Sequence, residues 1–188
     1  MVRWQNRYNY QMKKLFIILL LIETVTLNAQ LFNTANGEIK FLSKAPLEII
    51  KAESKKLQGV LDFSKKVFAF KLNMRSFEGF NSPLQREHFY ENYLEVSEFP
   101  DAVFSGKILE NLKKGKSTYR AKGNLTIHGI TKEVIIDVDL DIEEDKISFQ
   151  SDFNVSLEDF KIELPMIVHQ KIAKDINVNV KGLLSGKI

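Results

Sequence analysis

Apolar and polar residues alternate one for one along most of the chain after residue 36. In residues 67–74 (VFAFKLNM), Phe68, Phe70, Leu72 and Met74 fall on one face. Residues 133–142 (EVIIDVDLDI) set Val134, Ile136, Val138, Leu140 and Ile142 against Asp137, Asp139 and Asp141. Residues 147–157 place Ile147, Phe149, Phe153, Val155 and Leu157 opposite Ser148, Gln150, Asp152, Asn154 and Ser156. Near the C-terminus Ile176, Val178 and Val180 alternate with Asn177, Asn179 and Lys181. Weaker alternations cover 38–43, 57–63, 102–109 and 119–127. Successive side chains on a strand point to opposite faces, so each stretch predicts one apolar and one wet face. Turn residues join them: 62–66, the basic tip at 113–116, His128-Gly129, and 143–146. The pattern predicts an antiparallel meander of about eight strands, as a sandwich or a closed barrel. No alternation of strands with helices points to a parallel sheet.

One segment departs from the two-residue period. Ser82 is a helix cap, Pro83 suits the first helical position, and Gln85 completes a capping box. The expected helix runs to about Tyr93, with Leu84, Phe89, Tyr90, Tyr93 and Leu94 on its apolar side. A lone helix between central strands of such a chain is expected to cover one end of the sheet structure.

Residues 1–29 read as an address. Arg3, Arg7, Lys13 and Lys14 precede an unbroken apolar run at 15–22, and Ala29 offers a small residue for cleavage. Eight residues are too few to span a bilayer, which takes about 20 in a helix. Met12 is an alternative start. The expectation is a cleaved signal peptide and a periplasmic or secreted domain over 30–188. Removing the leader's four cations and one anion leaves basic and acidic residues equal in number, so the net charge of +3 belongs to the leader. A neutral domain with lysines in scattered pairs carries no nucleic-acid footprint. The absence of Cys excludes disulfides and thiolate chemistry.

Two blocks resemble the YceI-like domain family. The first is Phe77, then residues 85–95 (QREHFYENYLE) and 99–106 (FPDAVFSG). The second is residues 123–134 (GNLTIHGITKEV), similar to the family's Leu-Thr-Ile-x-Gly hairpin. The resemblance runs from about Gly37 to Ile188. It implies a lipocalin-like antiparallel β-barrel that holds a polyisoprenoid, an isoprenoid quinone or a fatty-acid derivative. The aromatic and His-Ser pair common on the family's first strand have no match in residues 37–43 (GEIKFLS).

An eight-strand barrel is either filled by its side chains or holds one small ligand. Alternation sets Phe68, Phe70, Leu72, Phe104, Val138, Leu140, Phe149 and Phe153 on apolar faces; the resemblance implies that they line a cavity. Phe77, Phe80, His88, Phe89 and Tyr93 are the expected rim or lid. An apolar lining accepts an alkyl or isoprenoid tail and offers little to a sugar or nucleotide. The expected function is therefore exported, non-enzymatic binding of a long apolar ligand, with the membrane involved only as the ligand's source. The rival is an envelope interaction module with a filled barrel and a protein partner; a homodimer stays open. A third reading is a hydrolase or isomerase using His88. No nucleophile elbow and no phosphate-binding glycine loop supports catalysis. No metal site is expected: His88, His128 and His169 lack ligand spacing, and Asp137, Asp139 and Asp141 belong to a wet face without a calcium loop.

Overall fold

The computed structural model describes residues 30–186, so the expected leader at 1–29 lies outside the described residues. Eight antiparallel strands close into a barrel: β1 (Leu31–Lys44), β2 (Ile49–Asp62), β3 (Val67–Asn73), β4 (Asp101–Ile108), β5 (Gly115–Ile127), β6 (Ile130–Ile142), β7 (Lys146–Ser156) and β8 (Asp175–Ser185). Each strand pairs with the next, and β8 returns to β1. Short connections gather at one end, the base: 63–66, 109–114 and 143–145. The opposite end, the mouth, carries residues 74–100 and 157–174.

Two strands run longer than their alternation predicts, because each changes phase midway. On β1 the inward set passes from Phe32 to Gly37, Ile39, Phe41 and Ser43, an even-to-odd change across a register shift. On β2 it passes from Ile50, Ala52 and Ser54 to Leu57 and Leu61. An extra residue in a strand resets which side chains face inward. It thereby hides a strand from any test of strict period. The stretch 49–56 is obscured further by its small inward residues; Ser54 bonds Ser76 at 2.7 Å rather than joining the apolar core.

The helix spans the expected residues but is not regular throughout. α1 (Pro83–His88) is a short α-helix, and Phe89–Tyr93 continues it as one π turn. Ser82 Oγ accepts the Gln85 N–H (3.1 Å), as the capping box requires. The return bond reaches Asn81 N–H instead of the cap residue itself (3.0 Å). Leu94 N–H reaches back to the Phe89 carbonyl, and Glu95 at φ +44° turns the chain out of the helix.

The ladders are uneven. β5 and β6 pair along their full lengths to the His128-Gly129 turn, where both residues have positive φ. β6 and β7 pair over only four residue pairs, from Ile142↔Ile147 to Asp139↔Gln150. Where that ladder stops, Ser151 Oγ donates to the Asp137 carbonyl (2.6 Å). Beyond it the two strands part, and the turn at Glu158–Phe160 packs against both, with Phe160 buried.

The base is sealed by side chains. Phe32, Ile142, Ile147 and Leu184 are almost wholly buried, and Phe63 packs on Phe32 with ring centroids 6.2 Å apart. Tyr119 Oη sits between the backbone N–H and carbonyl of Lys113, pinning the β4–β5 connection. In the adjacent turn Asp62 accepts from Ser64 Oγ (2.6 Å) and Lys65 N–H (3.0 Å). These bonds, the hydroxyl's first, lower its carboxyl to about 2. The outer wall is wet. Lys40 pairs with Glu38 and Glu53 at 2.9 Å each across β1 and β2.

Two outcomes follow for the base. Phe32→Ala is expected to cost about 3–5 kcal/mol in urea denaturation, the usual loss for a buried aromatic. A carboxylate bonded in the folded state stabilises it above the ordinary carboxyl pKa, and that contribution fades as the pH falls through the depressed value. Stability measured from about pH 4 down to about pH 2 should therefore fall more steeply for the natural chain than for Asp62→Asn.

Candidate functional site

The barrel interior is lined by the apolar sides of strands whose polar sides face water. Small residues on the lining make room for large ones. Gly59 lies opposite Phe70 and Gly182 opposite Phe149 in their ladders. A Cβ on either glycine would collide with the facing ring, so each ring lies flat across its partner strand. The two rings meet at 5.2 Å, and Phe68 packs on Phe104 at 4.9 Å.

Within this lining are two adjoining cavities. The lower one, about 140 Å³, is bounded by Phe68, Phe70, Phe104, Leu61, Ile136, Val138, Leu140 and Phe149. The upper one, about 180 Å³, lies beneath the mouth and is bounded by Phe41, Met74, Phe77, Phe80, Phe89, Tyr93, Leu94, Ile162 and Ile172. Ile39, Leu72, Ala102, Leu125 and Phe153 border both and form a waist between them. An apolar cavity of about 150 Å³ stays dry and accepts a benzene-sized molecule.

Three polar side chains on the lining, Ser43, Ser151 and Gln85, are already engaged. Ser43 Oγ accepts the Ala173 N–H (2.8 Å). Ser151 donates to Asp137, and Gln85 Nε2 donates to Glu48 Oε1 (2.9 Å). Burial raises the Tyr93 phenol above its ordinary pKa, which keeps it neutral. The hollow therefore presents hydrocarbon and aromatic surface and no poised acid or base.

Two arms cap the mouth. In the first, Phe41 of β1 stacks on Phe89 at 5.3 Å and 10°, with Phe77 at 5.2 Å and Phe80 at 5.9 Å. Tyr90 Oη donates to the Phe77 carbonyl (2.8 Å), tying the π turn to the chain just beyond β3. The second arm, residues 157–174, supplies Leu157, Ile162, Leu164 and Ile172. His128, at φ +51°, links the two: Nε2 lies 2.7 Å from Glu95 Oε2, and Nδ1 lies 3.2 Å from the Phe160 carbonyl. Phe99 meets its ring edge-on at 4.9 Å.

Phe68, Phe70, Leu72, Phe104, Val138, Leu140, Phe149 and Phe153 all border the lower cavity. Phe77, Phe80, Phe89 and Tyr93 border the upper one, with Phe77 buried as core rather than exposed as rim. His88 lies on α1 of the cap and not on the lining. Its Nδ1 lies 2.7 Å from Asn92 Nδ2 one turn on, and it borders neither cavity. Adjacent helical residues point about 100° apart, so Phe89 faces the upper cavity and His88 does not. Sequence reasoning missed the whole second arm, which has no periodicity to detect. It also missed Ile39 and Phe41, although both alternate visibly within 38–43.

A closed eight-strand barrel with an apolar hollow beneath an aromatic cap defines a lipocalin-like binding architecture. A YceI-like domain matches residues 24–183, and the chain belongs to that family. Among solved structures, a polyisoprenoid binding domain from Saccharophagus degradans is similar at TM-score 0.71 and 11% identity, covering 85% of this chain and 99% of that one. BcnA of Burkholderia cenocepacia gives 0.66 at 16% identity, covering 80% and 97%. The YCEI protein of Campylobacter jejuni gives 0.57 at 21% identity, covering 72% and 84%. No curated protein matches the sequence.

The link through His128 predicts a local effect. In His128→Ala, amide exchange is expected to accelerate at residues 94–96 and 158–162, with protection of β3, β4 and β5 unchanged. Mass-spectrometric hydrogen exchange reads this directly.

Proposed function

We propose that the chain is an exported, non-catalytic carrier that holds the apolar tail of an isoprenoid, quinone or fatty-acid-type molecule inside the barrel. The observation that carries this reading is the pair of adjoining cavities, lined almost entirely by hydrocarbon, with the lining side chains Ser43, Ser151 and Gln85 already bonded. Membership of the YceI-like family and the fold shared with a polyisoprenoid binding domain support it. Export rests on Lys13-Lys14, the apolar run at 15–22 and Ala29.

Energetics set the ligand class. Burying a methylene contributes about 0.8 kcal/mol, so ten contribute about 8 kcal/mol. Association costs of about 4–15 kcal/mol offset this, so a short tail binds weakly. The two cavities as they stand take a tail of about a dozen carbons, scaling from the benzene-sized occupant of one. A longer ligand is accommodated by rotation of waist and cap side chains, Phe153 and Phe41 first.

Organic extraction and mass spectrometry of freshly purified protein should return a lipid near one equivalent. Ala102→Leu, which fills the waist at about 1–3 kcal/mol in stability, should shift the bound population toward shorter tails. A repeatedly clean extract, with no uptake of added long-chain quinone, overturns the proposal in favour of a filled barrel with a protein partner.

A further inference from the structure

Both ring nitrogens of His128 face hydrogen-bond acceptors. Nε2 lies 2.7 Å from the Glu95 carboxylate on the first arm of the cap, and Nδ1 lies 3.2 Å from the Phe160 carbonyl on the second. A carbonyl cannot donate, and neither can a carboxylate. Each contact is therefore a hydrogen bond only if its nitrogen carries the proton. A neutral imidazole has one N–H and one lone pair, whereas the imidazolium has two N–H groups. The arrangement in the structure is complete for the charged ring and one bond short for the neutral one. Little water reaches the ring to make up the loss: the side chain is 13% exposed, with Phe99 edge-on against it.

The missing bond falls on a definite side. A carboxylate is the stronger acceptor, so the neutral ring keeps its proton on Nε2, toward Glu95. Its Nδ1 lone pair then faces the oxygen of the Phe160 carbonyl, and the second arm loses its tie while the first keeps it. Charged residues also stand on the segments around His128: Glu98 on the first arm, Asp101 on β4, Lys132 and Glu133 on β6, and Glu158, Asp159 and Lys161 on the turn that carries Phe160. Asp101 pairs with Lys71 (2.8 Å) and Glu133 with Lys122 (3.0 Å). Lys132 reaches Asp159 at 3.5 Å, an exposed pair that ties the turn to β6 whatever the charge on His128. Of these residue types only histidine ordinarily changes charge between about pH 5 and pH 8. His169, farther along the second arm, donates from Nε2 to the Leu164 carbonyl, a bond that either charge state makes. His88 bonds Asn92 on the first arm.

We propose that His128 is a proton-operated clasp: charged, it holds the two arms of the cap together; neutral, it releases the turn at Glu158–Phe160 from the first arm. The clasp contributes below the range in which histidine titrates and is lost as the pH rises through it. Its purpose rests on the carrier reading: the second arm supplies Ile162, Leu164 and Ile172 to the upper cavity, so freeing it loosens the mouth over a guest.

Hydrogen exchange on the full chain from about pH 5 to about pH 8, with each rate divided by the intrinsic rate at that pH, reads the second arm directly. Exchange at 158–162 is expected to rise about fivefold across this range, the equilibrium worth of one hydrogen bond, with 94–96 unchanged. Two variants separate a proton switch from a structural contact. Glu95→Gln offers an amide that donates to a neutral Nε2. The ring's single proton is then free to sit on Nδ1, facing the Phe160 carbonyl, and protection at 158–162 should persist to the top of the range. His128→Asn keeps a residue that tolerates the left-handed backbone there (φ +51°) but cannot titrate, so the step should vanish. A flat profile in the natural chain, the same step in Glu95→Gln, or a step that survives in His128→Asn overturns the proposal. Organic extraction of the same preparation keeps the two readings apart. A ligand-free barrel that shows the step defeats the carrier alone, and a loaded barrel without the step defeats the clasp alone.

Discussion

The return of β8 onto β1 makes the sheet a ring, and the ring removes the edges that an open sheet of this size would expose. Closure also forces the inward side chains of all eight strands to share one confined volume. An apolar alternation on each strand then has a single outcome, a hydrocarbon interior with its polar partners outside. Whether that interior is solid or hollow depends on the sizes of facing residues. Rings such as Phe70 and Phe149 fit flat only because Gly59 and Gly182 face them. The space left around those rings and above the waist is the hollow.

Wall and cap differ in kind. The wall is backbone ladder, and its inward side chains are fixed by register. The cap is two irregular arms, joined to each other through His128; the first is tied to β2 by the Glu53–Glu78 bridge and to the β1–β2 hairpin by Gln85, the second to β1 by Ser43. Each of those links is one or two hydrogen bonds, worth about 1 kcal/mol net apiece, whereas a strand is held along its whole length. Opening at the mouth is therefore the less costly motion, and the aromatic cluster around Phe41 is the part of the site with freedom to rearrange.

The strands at 67–74, 133–142 and 147–157 were legible because their inward sets are unbroken from end to end. The starts of β1 and β2 were not, because a change of phase cancels the period that reveals a strand. The lining residues could be assigned to a face from alternation alone. Their meeting around one cavity follows from ring closure, which no local pattern records. His88 borders neither cavity because neighbouring helical residues point about 100° apart, so the facing that brings Phe89 to the hollow turns His88 aside. The second arm was illegible for a simpler reason: irregular backbone has no period, and its contribution comes from Ile162, Leu164 and Ile172 arriving together in space.

The short β6–β7 ladder gives the ring a built-in seam. Every other junction near the mouth shares backbone bonds or a bridged loop, but here the strands have already separated and the Glu158–Phe160 turn, with its buried Phe160 ring, packs against both. A cylinder that must widen does so where it is least stitched. For the carrier proposed above, swinging that one turn of chain aside would open the wall without breaking a rung of the sheet.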